Sequence, residues 1–313
     1  MNLKVTIRRY WNYLVKFGPR ITYFYLLYPR YGGAKAIVRR HYEIKRYIKH
    51  EFKNIFEHYR NIHVEPLGTS KEKHPIWVCW LQGEENMPEI IRICYKSILK
   101  HAAGNSVNLI TEQNLQNYIE VPDFVNEYLR QGKISRTHYA DYIRIMLLAK
   151  YGGMWIDASV LVTGDIANET QRAFYTVRQK EKVSISYVSE YRWAVSLIGC
   201  SRNYGRYMFS CLNELFNAYL QKRTFFIDFF LFDYFIAAMY EELPIVKQLI
   251  DSNGYNCDSF YLMAENMNNK YDKAVMQAIT RQGKFHKLSW KHEYIDTDNN
   301  NNQTLFNHIK NMQ

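Results

Sequence analysis

The sequence predicts an α/β fold, a sheet flanked by helices, and three stretches carry that prediction. Residues 136–162 read as a helix, a glycine turn and a buried strand. Residues 76–81 are a short all-apolar run, suited to a strand buried on both faces. Behind it, 88–102 and 106–111 read as a helix and a second strand, and 123–131 as a further helix entered through Val121 and Pro122. More strands are expected within 175–187 and 194–199, and a helix over 203–221.

The stretch 136–162 is the most informative. Tyr139, Tyr142, Ile143, Met146 and Leu147 recur at helical spacing, joined by the apolar stem of Lys150. Gly152 and Gly153 end the helix by adopting backbone angles that other residues resist. From there the side chains alternate. Met154, Ile156, Ala158, Val160 and Val162 make an apolar face, while Trp155, Asp157, Ser159 and Leu161 point the other way. A carboxylate within such a strand is costly unless it meets a cation or donors. Asp157 is therefore either a structural carboxylate paired with Arg144 or a functional one. Asp141 and Arg144 lie three apart on the preceding helix and share a face. Together they make a cluster of one arginine and two aspartates near a strand end, where open α/β sheets bind ligands.

Three other segments carry candidates. The run 76–81 ends at the turn Gln82-Gly83, with Trp77 and Trp80 open to core or ligand roles. Residues 285–291, FHKLSWK, combine His286, Ser289 and Trp290 with Lys287 and Lys291. Residues 224–240 are the most apolar stretch and come close to the ~20 residues of a membrane span. Asp228 and Asp233 would each cost about 2.5–3.5 kcal/mol at mid-membrane, so a buried helix is expected instead. Five positions apart, the two carboxylates are about 140° apart on a regular helix and cannot both face one site.

The order Asp-x-x-Arg, helix, Tyr-Gly-Gly, strand, Asp-x-Ser resembles the sugar-nucleotide signature of the bacterial capsular polysaccharide synthesis glycosyltransferases. These are related to the family 32, DXD sugar-binding transferases and to the large clostridial glucosylating toxins. The resemblance, over roughly 70–295, implies a GT-A fold: a Rossmann-like mixed sheet flanked by helices. The domain of 71–295 would follow a basic, aromatic helical extension at 1–70 and precede a polar tail at 296–313. It implies a base platform at Trp80, with Gln82 and Gly83 near the nucleotide. Asp141 and Arg144 would grip sugar hydroxyls, and Asp157 would orient metal, ribose or sugar. Ser289 and Trp290, with Lys287, would close over the diphosphate. Asp233, in preference to Asp228, would approach the sugar. A divalent ion, Mn²⁺ or Mg²⁺, would sit on Asp157, Ser159 and His286, and the product would retain anomeric configuration. The chain departs from the strict pattern where Ser159 stands for the second Asp of DXD. A hydroxyl is the weaker ligand, so metal binding could be looser, could recruit His286 or Ser289, or could give way to Lys287 and Lys291.

Composition sets the remaining expectations. At 313 residues, 47% of them apolar, the chain can build a sizeable core. Lys and Arg exceed Asp and Glu by 41 to 30, and the net charge of +11 suits anionic partners. The five cysteines form no CxxC pair, which indicates neither a zinc site nor a disulfide framework. That cysteine usage suits a reducing, cytoplasmic location, and with no charged segment followed by an apolar run and a cleavage site, secretion by that route is not expected. In the first 65 residues, helices are expected around 4–17 and 34–60, with Arg8, Arg9, Lys16, Arg20 and Arg30 among aromatic residues. Ile7, Tyr10, Leu14 and Phe17 share one helical face, as a helix lying on the inner face of the plasma membrane requires. The alternative is a helical hairpin packed on the catalytic domain. The family resemblance adds a nucleotide-sugar donor, with UDP as its nucleotide, and a lipid-linked oligosaccharide acceptor. Two other classes stay open. A nucleic-acid-binding protein fits the charge, although no nucleic-acid module is recognisable and no such partner is expected. A membrane-associated scaffold with a degenerate transferase domain fits Ser159. A linker is expected at 66–70, and a loose, low-complexity stretch at 296–303.

Overall fold

The computed structural model describes residues 3–27, 33–64, 74–180 and 187–312. The expected linker at 66–70, Arg30, and the side chains of Arg8 and Arg9 lie outside what is described. The chain opens with three helices, α1 (Leu3–Leu27), α2 (Ala34–Glu51) and α3 (Lys53–Arg60). A βαβ unit follows, with β1 (Ile76–Cys79), α4 (Glu89–His101) and β2 (Val107–Ile110). Next come α5 (Asp123–Arg130), α6 (Arg136–Tyr151), β3 (Gly153–Ile156), β4 (Val160–Val162), α7 (Ala167–Thr170), β5 (Phe174–Thr176) and β6 (Leu197–Cys200). The remainder is α8 (Arg202–Lys222), α9 (Leu231–Glu242), α10 (Pro244–Asp251), α11 (Leu262–Asn266), α12 (Lys273–Arg281), β7 (Phe285–Lys287) and α13 (Leu305–Asn311).

The main sheet has the order β2-β1-β3-β6-β5. Strand β1 runs parallel to β2 and β3, while β6 is antiparallel to β3 and β5. It is the mixed, helix-flanked α/β sheet that the sequence predicts. Alternation decides what each face meets. Ile76, Val78, Met154, Ile156 and Leu197 share a core with α4, β4 and β7. Trp77, Trp155 and Ile198 share the other with α6, α8, α9 and the amino-terminal helices. The close turn into β3 requires glycine. Gly153 has φ +91°, and a Cβ there would stand 2.2 Å from the carbonyl oxygen of Pro75.

The structure revises three expectations. Residues 154–162 are two strands, β3 and β4, and Asp157 and Ser159 lie in the turn between them. The face of α1 is also divided differently. Tyr13, Phe17, Ile21 and Tyr25 are buried, while Ile7, Trp11, Leu14 and Val15 are exposed. Aromatic packing of Phe17 on Tyr47 and Phe225 removes it from the outer face. Finally, the polar end of the chain is not loose. Asp298 accepts from the backbone N–H of Asn300 and Asn302, and Leu305, Phe306 and Ile309 are buried.

Residues 224–240 contribute the buried helix α9 rather than a membrane span, and among the described residues no helix is long and apolar enough to cross a membrane. The loop before α9 locks the amino-terminal helices to the domain. Tyr13 donates to the carbonyl of Ile227 at 3.1 Å. Asp228 is buried in an ion pair with buried Arg40, whose guanidinium lies 4.2 Å from the Tyr25 ring centroid. Asp228 also accepts from the backbone N–H of Phe230 at 3.0 Å. Removing one partner of a buried pair leaves the other charge uncompensated, at a cost of about 3–5 kcal/mol. Asp228→Ala is expected to lose stability on that scale in urea titration, whereas Lys53→Ala, whose partner Glu57 is an exposed neighbour one turn on, stays within about 0.5 kcal/mol of the parent.

Candidate functional site

A cleft opens at the carboxyl ends of β1 and β3, the edge where open α/β sheets bind ligands. Its empty volume is about 820 Å³, and Trp80, Gln82, Arg144, Asp157, Ser159, Lys287 and Trp290 are among its lining residues. The sequence candidates thus converge from three separate segments. Gly83, with φ +90°, makes the turn behind Gln82.

Sheet geometry builds the polar cluster. Trp155 and Asp157 share the face toward α6, where the helical register carries Arg144. The Arg144 guanidinium donates to Asp141 at 2.9 Å and to Asp157 Oδ1 at 3.1 Å, and lies 4.7 Å from the Trp155 ring centroid. The Trp155 indole N–H also donates to Asp157 Oδ1, at 2.8 Å. The other oxygen, Oδ2, accepts from the Lys287 ammonium at 2.7 Å. Burial alone would raise the Asp157 carboxyl, but Lys287 and Arg144 outweigh it and hold it below the usual carboxylate range. Asp141 goes the other way, raised by burial against the pull of Arg144.

The second strand pair delivers the remaining groups. Strand β7 pairs with β4 in antiparallel register, Lys287 opposite Val160 and His286 opposite Leu161. Lys287 therefore reaches Asp157 and Ser159, with 2.7 Å to each oxygen. Its neighbour His286 does not join them. His286 is fully buried beside Thr163, at 3.1 Å, and burial pushes its imidazole down to about 4. The expected metal ligand is instead a neutral core histidine, turned away by strand alternation. Ser289 serves the local turn, its hydroxyl accepting from the Lys291 backbone N–H at 3.2 Å. Trp290 is exposed and meets Trp80 edge-on, with ring centroids 6.2 Å apart.

Of the two carboxylates near α9, Asp228 is taken by Arg40. Asp233 accepts from the Trp193 indole N–H at 3.0 Å. Burial, helped by the nearby Asp141 carboxylate, pushes Asp233 up to about 7. The sequence gives no site role to Trp155, to Trp193 or to Arg136, which also lines the cleft. Trp155 was legible from its place two residues before Asp157 on the same face, but Trp193 and Arg136 had no such signal.

The fit to a divalent ion is poor as the side chains stand. Asp157 has donors on both oxygens, the Ser159 hydroxyl faces an ammonium, and His286 is elsewhere. Among the described residues no group of three or more His, Cys, Asp or Glu side chains could hold a metal.

The model of the family "Capsular polysaccharide synthesis protein" matches residues 27–309, so the chain belongs to that family. A curated relative, "O-glycosyltransferase PaGT" of Phomopsis amygdali, is 30% identical over an alignment of 116 residues that covers 33% of this chain and 27% of that protein. The chain thus spans about a quarter of that relative's length. A solved structure titled "PaToxG Glycosyltransferase" gives a loose likeness, 14% identical with a TM-score of 0.28, over 69% of this chain and 98% of that one.

Asp233 yields a pH prediction. Its folded value of about 7 exceeds the ordinary 3.8, so the folded state binds the extra proton between those values. Its stabilising contribution is full below about 4 and is lost as pH rises through about 7. Asp233→Asn is expected to gain stability relative to the parent across that window, as read by thermal melting at a series of pH values. Parallel curves for the two proteins would contradict this.

Proposed function

We propose that this member of the capsular polysaccharide synthesis family is a glycosyltransferase that moves a sugar from a UDP-sugar to a lipid-linked oligosaccharide. The observation that carries the reading is the meeting of Trp80, Trp290, Arg144, Asp157 and Lys287 in one cleft at the strand ends. An aromatic platform suits a base, cations suit a diphosphate, and an ionised carboxylate suits ribose or sugar hydroxyls. Arg144 keeps Asp157 charged and oriented, and Asp141 extends the same array toward the sugar. Asp233, its carboxyl pushed up to about 7 by burial, can donate a hydrogen bond to, or accept one from, a hydroxyl beside that array. Retention of anomeric configuration is part of the same proposal.

Two substitutions test this reading. Trp80→Ala is expected to weaken UDP binding by about 1–3 kcal/mol in calorimetry, the scale of one base stack. Asp157→Asn, which keeps the shape and removes the charge, is expected to abolish turnover of UDP-sugars while the melting curve stays cooperative. Unchanged UDP affinity in folded Trp80→Ala removes the base platform from this cleft.

The same reading places the protein at the cytoplasmic surface of the plasma membrane. Support comes from the outer face of α1, where Ile7, Trp11, Leu14 and Val15 are exposed together at helical spacing, with Lys16 beside them. Each Lys or Arg near an anionic surface adds about 1 kcal/mol. Co-sedimentation with vesicles of anionic lipid is expected to exceed that with neutral vesicles and to fall when Trp11 and Leu14 are both changed to Glu. Equal sedimentation of the parent and the double variant would refute the surface contact.

A further inference from the structure

The donor site carries its own cation. We propose that the Lys287 ammonium takes the place of a divalent metal at the diphosphate of the nucleotide donor. This rests on the cleft being the donor site. Four observations support it.

The first is position. Nζ stands 2.7 Å from Asp157 Oδ2 and 2.7 Å from Ser159 Oγ, bridging the two side chains of the Asp-x-Ser turn. A metal on that turn would need the same two oxygens. The second is delivery. The ammonium is not on a free surface arm, because its backbone is fixed on two sides. The Lys287 N–H donates to the Phe260 carbonyl at 2.6 Å, and the next residue, Leu288, donates to the Ser159 carbonyl at 2.8 Å. Strand β7 thereby fastens the cation to the turn that carries the carboxylate.

The third is saturation. Arg144 and Trp155 occupy Asp157 Oδ1, and Lys287 occupies Oδ2. A divalent ion would have to displace the ammonium or settle beside two cations at short range, which Coulomb repulsion opposes. Ser159 makes the difference, since a carboxylate in its place would leave negative charge unmatched by one ammonium. The fourth is a spare donor. An ammonium has three N–H groups, and two are taken. Among the described residues the third has no acceptor, and the Lys287 side chain keeps 24% of its surface exposed within the cleft lining. A phosphate oxygen of the donor fits that direction.

In the transfer step the anomeric C–O bond to the β-phosphate breaks, and its electron pair stays on the phosphate oxygen. The acceptor hydroxyl oxygen bonds the anomeric carbon and its proton passes to that phosphate oxygen. Lys287 donates a hydrogen bond to the phosphate as charge builds there.

The test is calorimetric binding of UDP and of inorganic pyrophosphate to the full chain, in EDTA and in excess Mg²⁺ or Mn²⁺. We expect both probes to bind in EDTA with affinity within about threefold of that with metal. Lys287→Met should lose about tenfold or more for both, the scale of one charge-assisted hydrogen bond, and Lys287→Arg should recover part of it. Binding that requires Mg²⁺ or Mn²⁺ overturns the proposal and leaves the nucleotide reading intact. Folded Lys287→Met that binds like the parent in EDTA also overturns it. Pyrophosphate binding in EDTA with UDP no tighter supports Lys287 and removes the uridine platform instead. Binding of neither probe in any condition overturns both. If Lys287→Met does not fold, the comparison of EDTA with metal in the parent protein decides.

Discussion

The site depends on one buried charge arrangement, the Arg144 guanidinium held between Asp141 and Asp157. Arginine suits this place because its planar fork serves two carboxylates at once and its face lies on the Trp155 ring. The helix α6 and the strand β3 are consecutive in the chain, so their registers are coupled through the glycine turn. A residue of insertion in that turn would flip the parity of the strand and turn Asp157 away from Arg144. Gly153 leaves no room for a side chain against Pro75 at that turn.

Around that core, the molecule separates two kinds of ion pair. Arg40 and Asp228 neutralise each other in the interior and hold the amino-terminal helices to the loop before α9. Lys287 and Asp157 do so at the cleft, with about a quarter of each side chain exposed. The first is closed and structural. The second keeps a face toward the cleft.

Much of this was legible in the sequence because it is carried by local pattern. The parallel strands followed from the apolar run at 76–81 and the helix behind it. The Arg144 cluster followed from spacing on a helix and from the order helix, glycine turn, strand, although Asp157 stands in the turn just past the strand. What failed needed partners distant in sequence. His286 and Lys287 are adjacent, and only the pairing of β7 with β4 decides which of them faces Asp157. Phe17 looked like part of an outer face until Tyr47 and Phe225 were found against it. The stretch at 296–303 reads as loose because polar composition dominates it, yet Asp298 ties it into a turn and Leu305, Phe306 and Ile309, just beyond it, are buried.

The long reach of the β4–β7 pairing has a consequence for how the protein is made. The bond from Lys287 to Asp157 closes a loop of 130 residues. A ribosome delivers Asp157, Arg144 and Trp155 long before it delivers Lys287, so the nascent chain passes through a stage in which the sheet can form and the carboxylate has its arginine but not its lysine. Contacts of such separation form late, because the entropy of closing the loop comes before the gain. A chain cut short before β7 would therefore hold Asp157 with Arg144 and Trp155 but without Lys287.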